Sequence, residues 1–376
     1  RPPSSTLFPY TTLFRSLPLG ADTLAHEAYR PFEPPSDWQR ANLVVKLPGE
    51  GAPLLLNTHL DTVPAAGWEE AFTPRIVGDR LIGRGASDAK GQVVTLLLVA
   101  AALKERGLAL ERPLEFHFVI EEEVGGNGAL ALALASKDAS GCVVLEPTEL
   151  SIHPSNRGAL WFKYRLEGKS VHMGRIQEGV NAIEKAWLLA ESLRAYWEAL
   201  LEASRGYPGY EQYEVPVQVN LGTIKGGDWP SMVAGWCELE GGVGFLPSKT
   251  LAEVEADLRA LAASHPDNWL RDHTTVTFDR LRNEAFAFPL DHPLALGLHQ
   301  AVGAAGGKAK ITGWNVSCDA RLYAKVAEVP TVVFGAGDVA EAHSAGESIA
   351  LPELLLAAEA LTEFVLDWCG VRSIWK

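Results

Sequence analysis

The chain has 376 residues, of which 47% are hydrophobic and 21% charged, and its formal net charge is -14 at pH 7. This length exceeds what one hydrophobic core usually supports, so we expect two domains, and the composition is that of a globular protein rather than a disordered one. The acidic balance argues against nucleic acid as a partner, because binding to phosphates needs clustered Lys and Arg and no basic run is present.

The cysteines predict neither a disulfide framework nor a thiolate zinc site. They are far apart and never form a C-x-x-C pair: Cys142, Cys237, Cys318 and Cys369. The longest apolar stretch, residues 93–103, is about half of the roughly 20 residues that a membrane-spanning helix needs. We therefore predict no membrane span and a reducing, cytoplasmic location.

The first sixteen residues, RPPSSTLFPYTTLFRS, differ in character from the rest of the chain. They contain neither a clean signal-peptide core nor a small-residue cleavage site. We interpret residues 1–16 as a non-native segment. Buried, well-packed side chains across this stretch would contradict that interpretation.

The next part of the chain alternates strands and helices. The first two predicted strands are joined by a turn rich in Pro and Gly, and several later strands are apolar on both faces, as central strands covered by helices are. The predicted strands are residues 42–49, 52–59, 114–120, 141–145 and 330–334. Helix-like stretches at 92–106 and 128–136 lie between them. The order is typical of an α/β fold with a mostly parallel sheet flanked by helices.

A different pattern begins after Pro154. It contains two helices among four strands, in the order β-α-β-β-α-β of the split βαβ, ferredoxin-like sandwich: residues 159–166, 180–201, 215–224, 235–245, 250–263 and 274–281. The α/β pattern then resumes, with helices at 293–303 and 352–368. We therefore predict a larger domain of residues 17–156 and 286–376, with an α+β domain of residues 157–285 inserted in it.

Acidic and imidazole side chains recur directly after the predicted central strands, where open α/β sheets place their ligands. The residues that follow such strands are His59, Asp61, Glu121, Glu122, Glu123 and Glu146, while Asp88 lies in a loop that opens a helix and His343 in a later loop. Any one of them alone would more often be a cap or a solvated residue. Several carboxylates converging at one edge would repel each other unless cations neutralised them. Imidazole and carboxylate ligands without thiolates favour catalytic Zn²⁺, although Co²⁺ or Mn²⁺ could use the same set.

At this point the chain resembles a known family: the metallopeptidases and deacylases that include acetylornithine deacetylase, succinyl-diaminopimelate desuccinylase, aminoacylase and glutamate carboxypeptidase. The resemblance covers about residues 42–368. Its motifs occur in family order and read LLLNTHLDTVP, GRGASDAKG, EEEVGGNG, LEPTEL, GKSVHMGRIQEGVNAI, CDAR and AHSAGES.

The resemblance implies a pair of metal ions, with one histidine at each ion, one aspartate bridging both, and a glutamate completing each site. The implied ligands are His59, Asp88, Glu123, Glu146 and His343. The larger domain would then be the catalytic domain, and the inserted one a lid and dimerisation domain. The resemblance also implies a cis peptide bond between Asp88 and Ala89.

Two further acidic residues acquire roles through the same resemblance. Asp61 would orient the ring of His59 and fix its tautomer, and Glu122 would be the general base. Glu121 stands where the family has an aspartate before its acidic pair, so three glutamates must be placed in register. Aligning the Val-Gly-Gly that follows makes Glu122 the base and Glu123 the ligand.

Three residues are implied to act on the substrate. His172, in GKSVHMG, resembles a histidine that reaches the site from the smaller domain, often from the partner subunit. Arg321, in CDAR, resembles a residue that pairs with a substrate carboxylate, for which a planar guanidinium is well suited. Asn181, in the motif that contains His172, is assigned to substrate binding as well. The alternatives are that His172 is an ordinary surface histidine and that Arg321 forms a structural salt bridge.

Two departures from the family leave the substrate open. Residues 230–234 read PSMVA where many members have an Asn-Val-Val-Pro-like segment, and the next strand reads LEGGVGF where they have an arginine. Both lie in the smaller domain, so they leave the metal chemistry intact.

We therefore predict a zinc-dependent hydrolase of linear amides that acts on an N-acyl amino acid, as a homodimer paired through the inserted domain. Two alternatives remain open. One is a dipeptidase or carboxypeptidase of the same family, acting on short peptides. The other is a non-catalytic binding protein that keeps the fold without the chemistry.

Overall fold

The computed structural model describes residues 13–33 and 40–372. Nineteen strands lie within these ranges: β1 (Leu13–Pro18), β2 (Ala41–Leu47), β3 (Leu54–His59), β4 (Arg75–Val77), β5 (Arg80–Ile82), β6 (Ala109–Leu110), β7 (Leu114–Val119), β8 (Gly141–Leu145), β9 (Ile152–Asn156), β10 (Gly158–Glu167), β11 (Gln218–Gly226), β12 (Trp236–Phe245), β13 (Thr274–Thr277), β14 (Arg282–Asn283), β15 (Phe286–Ala287), β16 (Ile311–Trp314), β17 (Thr331–Phe334), β18 (Ser348–Ala350) and β19 (Val371–Arg372).

The same ranges contain nine α-helices: α1 (Ala21–Ala25), α2 (Lys90–Glu105), α3 (Asn127–Ala135), α4 (Ala182–Ala203), α5 (Leu251–Ala263), α6 (Asn268–Asp272), α7 (Pro293–Ala304), α8 (Ala320–Lys325) and α9 (Leu351–Cys369). A 3-10 helix, Met173–Glu178, precedes α4. None of the helices in the described part of the chain has the length and apolar character that crossing a bilayer requires.

The chain divides into two compact units. The small unit consists of Asn156–Phe286 and Trp314–Ser317, and the large unit contains the rest of the described residues. Residues 314–317 were predicted to lie in the larger domain, and this differs from the structure. The carbonyl of Trp314 accepts hydrogen bonds from the Arg157 amide at 3.2 Å and the Tyr210 hydroxyl at 3.3 Å, which hold this segment in the small unit.

The large unit is built on a mixed sheet with a parallel centre. Its strand order is β1-β2-β7-β3-β8-β17-β9-β15, and β16 pairs with β9. The strands β7, β3, β8 and β17 run parallel, whereas β1, β2 and β9 join antiparallel. Every residue of β3 and β8 is buried, as expected for strands that are apolar on both faces.

Helices cover both faces of this sheet, as predicted. Successive residues of a strand face opposite sides. Leu54 and Leu56 of β3 join the hydrophobic core formed with α2, α7 and α9. On the other face, the Asn57 amide donates a hydrogen bond to the hydroxyl of Tyr323 in α8, at 3.0 Å. The α/β prediction is therefore confirmed.

The small unit has the predicted split βαβ arrangement. Its sheet order is β11-β12-β10-β13, entirely antiparallel, and β14 also pairs with β10. Helices α4 and α5 supply apolar side chains to a core of their own with this sheet. The strand β11 lies at an edge and is largely exposed. The role of this unit as a lid stays a prediction.

The interpretation of residues 1–16 as non-native also stays a prediction. Residues 1–12 lie outside the described residues. The remaining four belong to β1, which pairs antiparallel with β2 at the edge of the large sheet. Arg15 and Ser16 are exposed there.

Candidate active site

Three of the five predicted metal ligands come shortly after parallel strands of the large sheet, and the other two lie in loops. His59 is the last residue of β3, Glu146 follows β8 directly, and Glu123 lies four residues beyond the end of β7. Asp88 lies in the loop that leads into α2, and His343 in the loop between β17 and β18. Because parallel strands end at the same edge, these side chains converge from distant parts of the chain.

These five side chains form two groups that share one aspartate. The first group is His59, Asp88 and Glu146, and the second is Asp88, Glu123 and His343. In each group the ligand atoms lie within 4.8 Å of one another. This is the sharing that the resemblance implied, with Asp88 between two histidines.

The aspartate uses one oxygen toward each histidine. Asp88 Oδ1 lies 2.8 Å from His59 Nε2, and Oδ2 lies 3.2 Å from His343 Nε2. Glu146 approaches His59 Nε2 at 3.9 Å, and Glu123 approaches His343 Nε2 at 3.1 Å. The peptide bond between Asp88 and Ala89 is cis, as predicted.

The ring of His59 is oriented by Asp61, mainly through the backbone. Nδ1 of His59 lies 3.1 Å from the carbonyl oxygen of Asp61, whereas the nearer carboxylate oxygen is 3.6 Å away. A carbonyl can only accept, so Nδ1 carries a proton, and Nε2 is the ring nitrogen that faces Asp88. The Asp61 carboxylate instead accepts hydrogen bonds from the amides of Glu122 at 3.3 Å and Glu123 at 3.2 Å.

Glu121 anchors the turn formed by residues 121–126. Its buried carboxylate accepts two hydrogen bonds from the Arg40 guanidinium, at 2.6 and 2.7 Å, and one from the Asn127 amide at 2.8 Å. Both carboxylate oxygens are therefore occupied away from the two ligand groups. This geometry supports the alignment that makes Glu123 the ligand and Glu122 the base.

The end of this turn requires glycine at residue 126, because the buried side chain of Asp319 lies against that position. Gly126 has φ of +79°, and a Cβ there would collide with the Asp319 carboxylate. Asp319 is 1% exposed, and within the described residues neither of its oxygens has a hydrogen-bond partner. The motif CDAR contains this residue, but nothing in its local pattern indicates that its carboxylate is buried beside the glutamates.

The site holds more negative charge than its histidines can balance. Burial raises the pKa of Glu122 well above its ordinary value, and the negative charges of Asp319 and Glu146 raise it further. Burial likewise raises the pKa of Glu146 well above its usual range and brings the pKa of Asp319 to about 7. These carboxyl groups would tend to keep protons in the absence of other cations.

The pKa values of the two histidines are raised as well, in their case by the negatively charged groups around them. Hydrogen bonds to Asp88 and Glu123 raise the pKa of His343 to about 10. For His59, burial lowers the pKa, but the bonds to Asp61 and Asp88 and the charges of Glu146 and Glu122 outweigh it, so the pKa is raised well above its ordinary value. Two divalent cations would satisfy both sets of groups, since imidazole and carboxylate donors with no thiolate suit such ions.

A mostly apolar cavity of about 500 Å³ adjoins the turn 121–126 in the large unit. Its apolar lining includes Leu60, Val63, Pro64, Ile120 and Val124, and Asp61 and Glu123 lie at its polar side. Apolar walls with a few polar groups are typical of sites for small molecules.

Three predicted residues make local contacts whose meaning for the substrate stays a prediction. His172 lies in the small unit, exposed, and its Nδ1 accepts a hydrogen bond from the Gly174 amide. Asn181 caps α4 by accepting from the Ile183 amide at 3.0 Å. Arg321, in the large unit, is 5% exposed and donates to the carbonyl of Gly125 at 2.9 Å.

Comparison with known proteins agrees with this geometry. The sequence profile of Peptidase family M20/M25/M40 matches residues 55–367. The N-formyl-4-amino-5-aminomethyl-2-methylpyrimidine deformylase of Bacillus subtilis (strain 168) is 27% identical over 365 residues, covering 88% of this chain and 84% of that protein.

Two solved structures share the fold. The aminopeptidase PepT from Bacillus cereus superposes with a TM-score of 0.69 at 19% identity, covering 94% of this chain and 88% of that chain. The YXEP protein from Bacillus subtilis, described as a dinuclear metal binding peptidase, superposes with a TM-score of 0.64 at 15% identity, covering 88% and 86%.

Proposed function

This chain belongs to Peptidase family M20/M25/M40 and is a hydrolase of amide bonds, and from that membership we propose that it uses two divalent metal ions to remove the acyl group of an N-acyl amino acid. The observation that carries the proposal is the pair of histidine and carboxylate groups that share Asp88. Zn²⁺ is the proposed ion, with Co²⁺ or Mn²⁺ as substitutes, because these donors are imidazoles and carboxylates alone.

The proposed ligands form one set for each ion, and one residue belongs to both sets. His59 and Glu146 would hold one, His343 and Glu123 the other, and Asp88 would contact both. When bound, such a pair lowers the pKa of a water molecule and polarises the carbonyl of the scissile amide.

Glu122 is the proposed general base. It lies beside Glu123 but belongs to neither ligand group, so its carboxylate is free to take a proton. The Asp61 carboxylate fixes its backbone amide. Glu122 would remove a proton from the attacking water and then deliver it to the leaving nitrogen.

The negative charge that develops on the former carbonyl oxygen needs a directed donor. We assign that role to His172, and substrate binding to Arg321 and Asn181, on the motif matches alone. Arg321 is the least accessible of the three, since it is only 5% exposed, and its guanidinium donates a hydrogen bond to the Gly125 carbonyl.

We also propose a homodimer formed through the small unit, in a reducing compartment such as the cytoplasm. The exposed edge strand β11 supports the dimer, since unpaired strand edges are ready sites for pairing with another chain. Ile224 in this strand is 54% exposed, and Trp187 in α4 is 67% exposed. The compartment is supported by four buried cysteines with no disulfide.

A second candidate substrate is a formylated amine without a carboxylate. The deformylase relative favours it by its name. In addition, β12 has Gly241, Gly242 and Gly244 in the stretch where the resemblance implies an arginine in many members, so a cation that could meet a substrate carboxylate is missing from this strand. A dipeptidase or carboxypeptidase activity remains the alternative within the family.

A substrate panel on the metal-loaded protein tests these proposals. We expect hydrolysis of N-acetyl or N-succinyl amino acids, loss of activity on exhaustive chelation, and recovery on adding Zn²⁺. Turnover confined to formylated amines would select the second candidate, and turnover confined to dipeptides the alternative. Full activity after chelation would contradict the metal proposal.

A further inference from the structure

We propose that Glu347, paired with Arg84, is a positioning residue that fixes the backbone presenting Asp88 between the two ligand groups. This inference rests on the proposed function, because it concerns how the shared aspartate is held. Glu347 lies four residues after His343 in the motif AHSAGES, where sequence alone suggests an ordinary loop glutamate.

Glu347 is fully buried and uses each oxygen for a different purpose. Oε1 accepts hydrogen bonds from the amides of Ser87 and Asp88, both at 3.0 Å. Oε2 accepts from Nη1 of Arg84 at 2.7 Å. The side chains of Arg84 and Glu347 are only 1% and 0% exposed.

A buried ion pair of this kind does not by itself indicate stability, because removing both charges from water costs much of what their attraction returns. Its geometry is specific, however. The carboxylate meets two consecutive amides, the second of which belongs to Asp88 itself. Bonds to a charged acceptor are roughly twice as strong as neutral ones. Arg84, whose guanidinium also lies 5.6 Å from the centre of the Trp68 ring, neutralises the charge.

The backbone of Asp88 must be held in place because both of its carboxylate oxygens make contacts in the site. One faces His59 and the other His343, so a rotation that improves one contact weakens the other. Holding the amide of Asp88 sets the direction in which its side chain leaves the backbone. Residues that orient metal ligands generally matter for binding, and their loss lowers metal affinity or activity about 10- to 100-fold.

The same glutamate connects the Asp88 loop to the His343 loop. Its backbone carbonyl accepts from the Gly83 amide at 2.9 Å, one residue before Arg84. The His343 loop is secured again at Glu341, whose carboxylate accepts from Arg80 at 2.6 Å. The loop that presents the shared Asp88 and the loop that presents His343 are thus joined through one buried glutamate.

The test compares Glu347→Gln with Glu284→Gln in the full chain. Glu284 is a matched control in the small unit, since its carboxylate also accepts from a backbone amide, that of Leu251, at 3.0 and 3.2 Å. Metal-free protein is titrated with Zn²⁺ and Co²⁺ in competition with a chelator, and its melting curve is recorded. We expect Glu347→Gln to weaken binding of both ions about 10- to 100-fold, to lower kcat more than it changes KM, and Glu284→Gln to bind as wild type does.

Wild-type affinity for both ions in a folded Glu347→Gln protein would overturn the proposal. If that variant does not fold, Glu347→Asp decides, because it keeps the charge near Arg84 while withdrawing the acceptor from the amides, and it too must lose affinity. Asp88→Asn separates the two proposals. If the wild-type protein and Asp88→Asn bind ions equally, the metal site itself is wrong; if only Asp88→Asn loses them, the role of Glu347 alone is wrong.

Discussion

Glu122 and Glu123 are neighbours in the chain but have different surroundings. The carboxylate of Glu123 contacts His343, whereas Glu122 contacts neither histidine closely enough to join a ligand group. Their amides are held by the two oxygens of the same Asp61 carboxylate. One backbone anchor therefore places two glutamates that we assign to different tasks.

Exchange of Glu122 separates those tasks. We expect Glu122→Gln to bind both metal ions and to lower kcat by about 10²- to 10⁴-fold, since the amide cannot accept the proton. Glu123→Gln is the matched variant, and it should instead weaken binding of one ion. Metal content and kcat of the two proteins check this, and near-normal turnover by Glu122→Gln would place the base elsewhere.

The Arg40–Glu121 pair leads to a prediction about stability. Replacing Arg40 by Gln leaves the buried carboxylate of Glu121, 2% exposed, without its charged partner. We expect the free energy of unfolding to fall by about 3 kcal/mol, measured by chemical denaturation. The exposed pair Arg194–Glu198 provides the control: Arg194→Gln should change stability by less than about 1 kcal/mol. Equal effects of the two substitutions would show that Glu121 does not depend on Arg40.

The sequence could predict proposed ligands of the site, but not the residues that support them. His59, Glu123 and Glu146 come shortly after apolar strands, so their convergence could be inferred. The supporting residues could not, because what distinguishes Glu347 and Asp319 is burial. Both carboxylates read as ordinary polar residues of a loop until the surrounding elements are in place.

At the scale of elements, the edge strand β11 makes the proposed dimer testable. We expect wild-type protein to sediment as a dimer and Ile224→Lys to weaken association at least tenfold, because a charge would enter a paired edge. Ile76→Lys is the control: Ile76, 65% exposed, lies in β4 of the large unit. Analytical ultracentrifugation over a range of protein concentrations measures both. A monomeric wild-type protein at all concentrations would contradict the dimer.

The elements that the sequence predicted are those with a strong pattern. Strands β3 and β8 are apolar throughout, and α4 begins next to its capping residue Asn181. Strand β9 was missed because its residues, IHPSN, are mostly polar although all are buried. The hairpin of β4 and β5 was also missed, since β4 is exposed along its length and shows no alternation. Whether such segments form strands depends on their pairing with other strands, which the local sequence does not reveal.

At the scale of the whole molecule, one buried histidine should make stability depend on pH. His153 lies in β9, near the carbonyl of Thr312 at 3.1 Å, and burial lowers its pKa to about 4. Between pH 6.5 and 4 the unfolded chain binds a proton there that the folded protein does not. The free energy of unfolding therefore decreases as the pH falls through this window, by at most about 1.4 kcal/mol per pH unit.

The substitution His153→Asn removes the imidazole that binds this proton in the unfolded chain, while the Asn amide can still donate to the Thr312 carbonyl. We expect the variant to lose less stability than wild type between pH 6.5 and 4.5, measured by denaturant unfolding at each pH. The other titrating groups are common to both proteins, so the difference isolates His153. His299→Asn, at an exposed histidine of the same unit, is the control. Identical pH dependence of His153→Asn and wild type would refute the assignment.

The position of β17 has a consequence for how the protein is made. This strand comes from residues 331–334, yet it lies between β8 and β9, which precede the small unit in the chain. During synthesis the small unit can fold while the central sheet still lacks a member, since domains generally fold as units as they emerge. Only when the late segment inserts do the strands close and His343 arrive opposite Asp88. A ribosome-bound chain stalled before residue 331 would therefore carry four of the five proposed ligands and no finished catalytic centre.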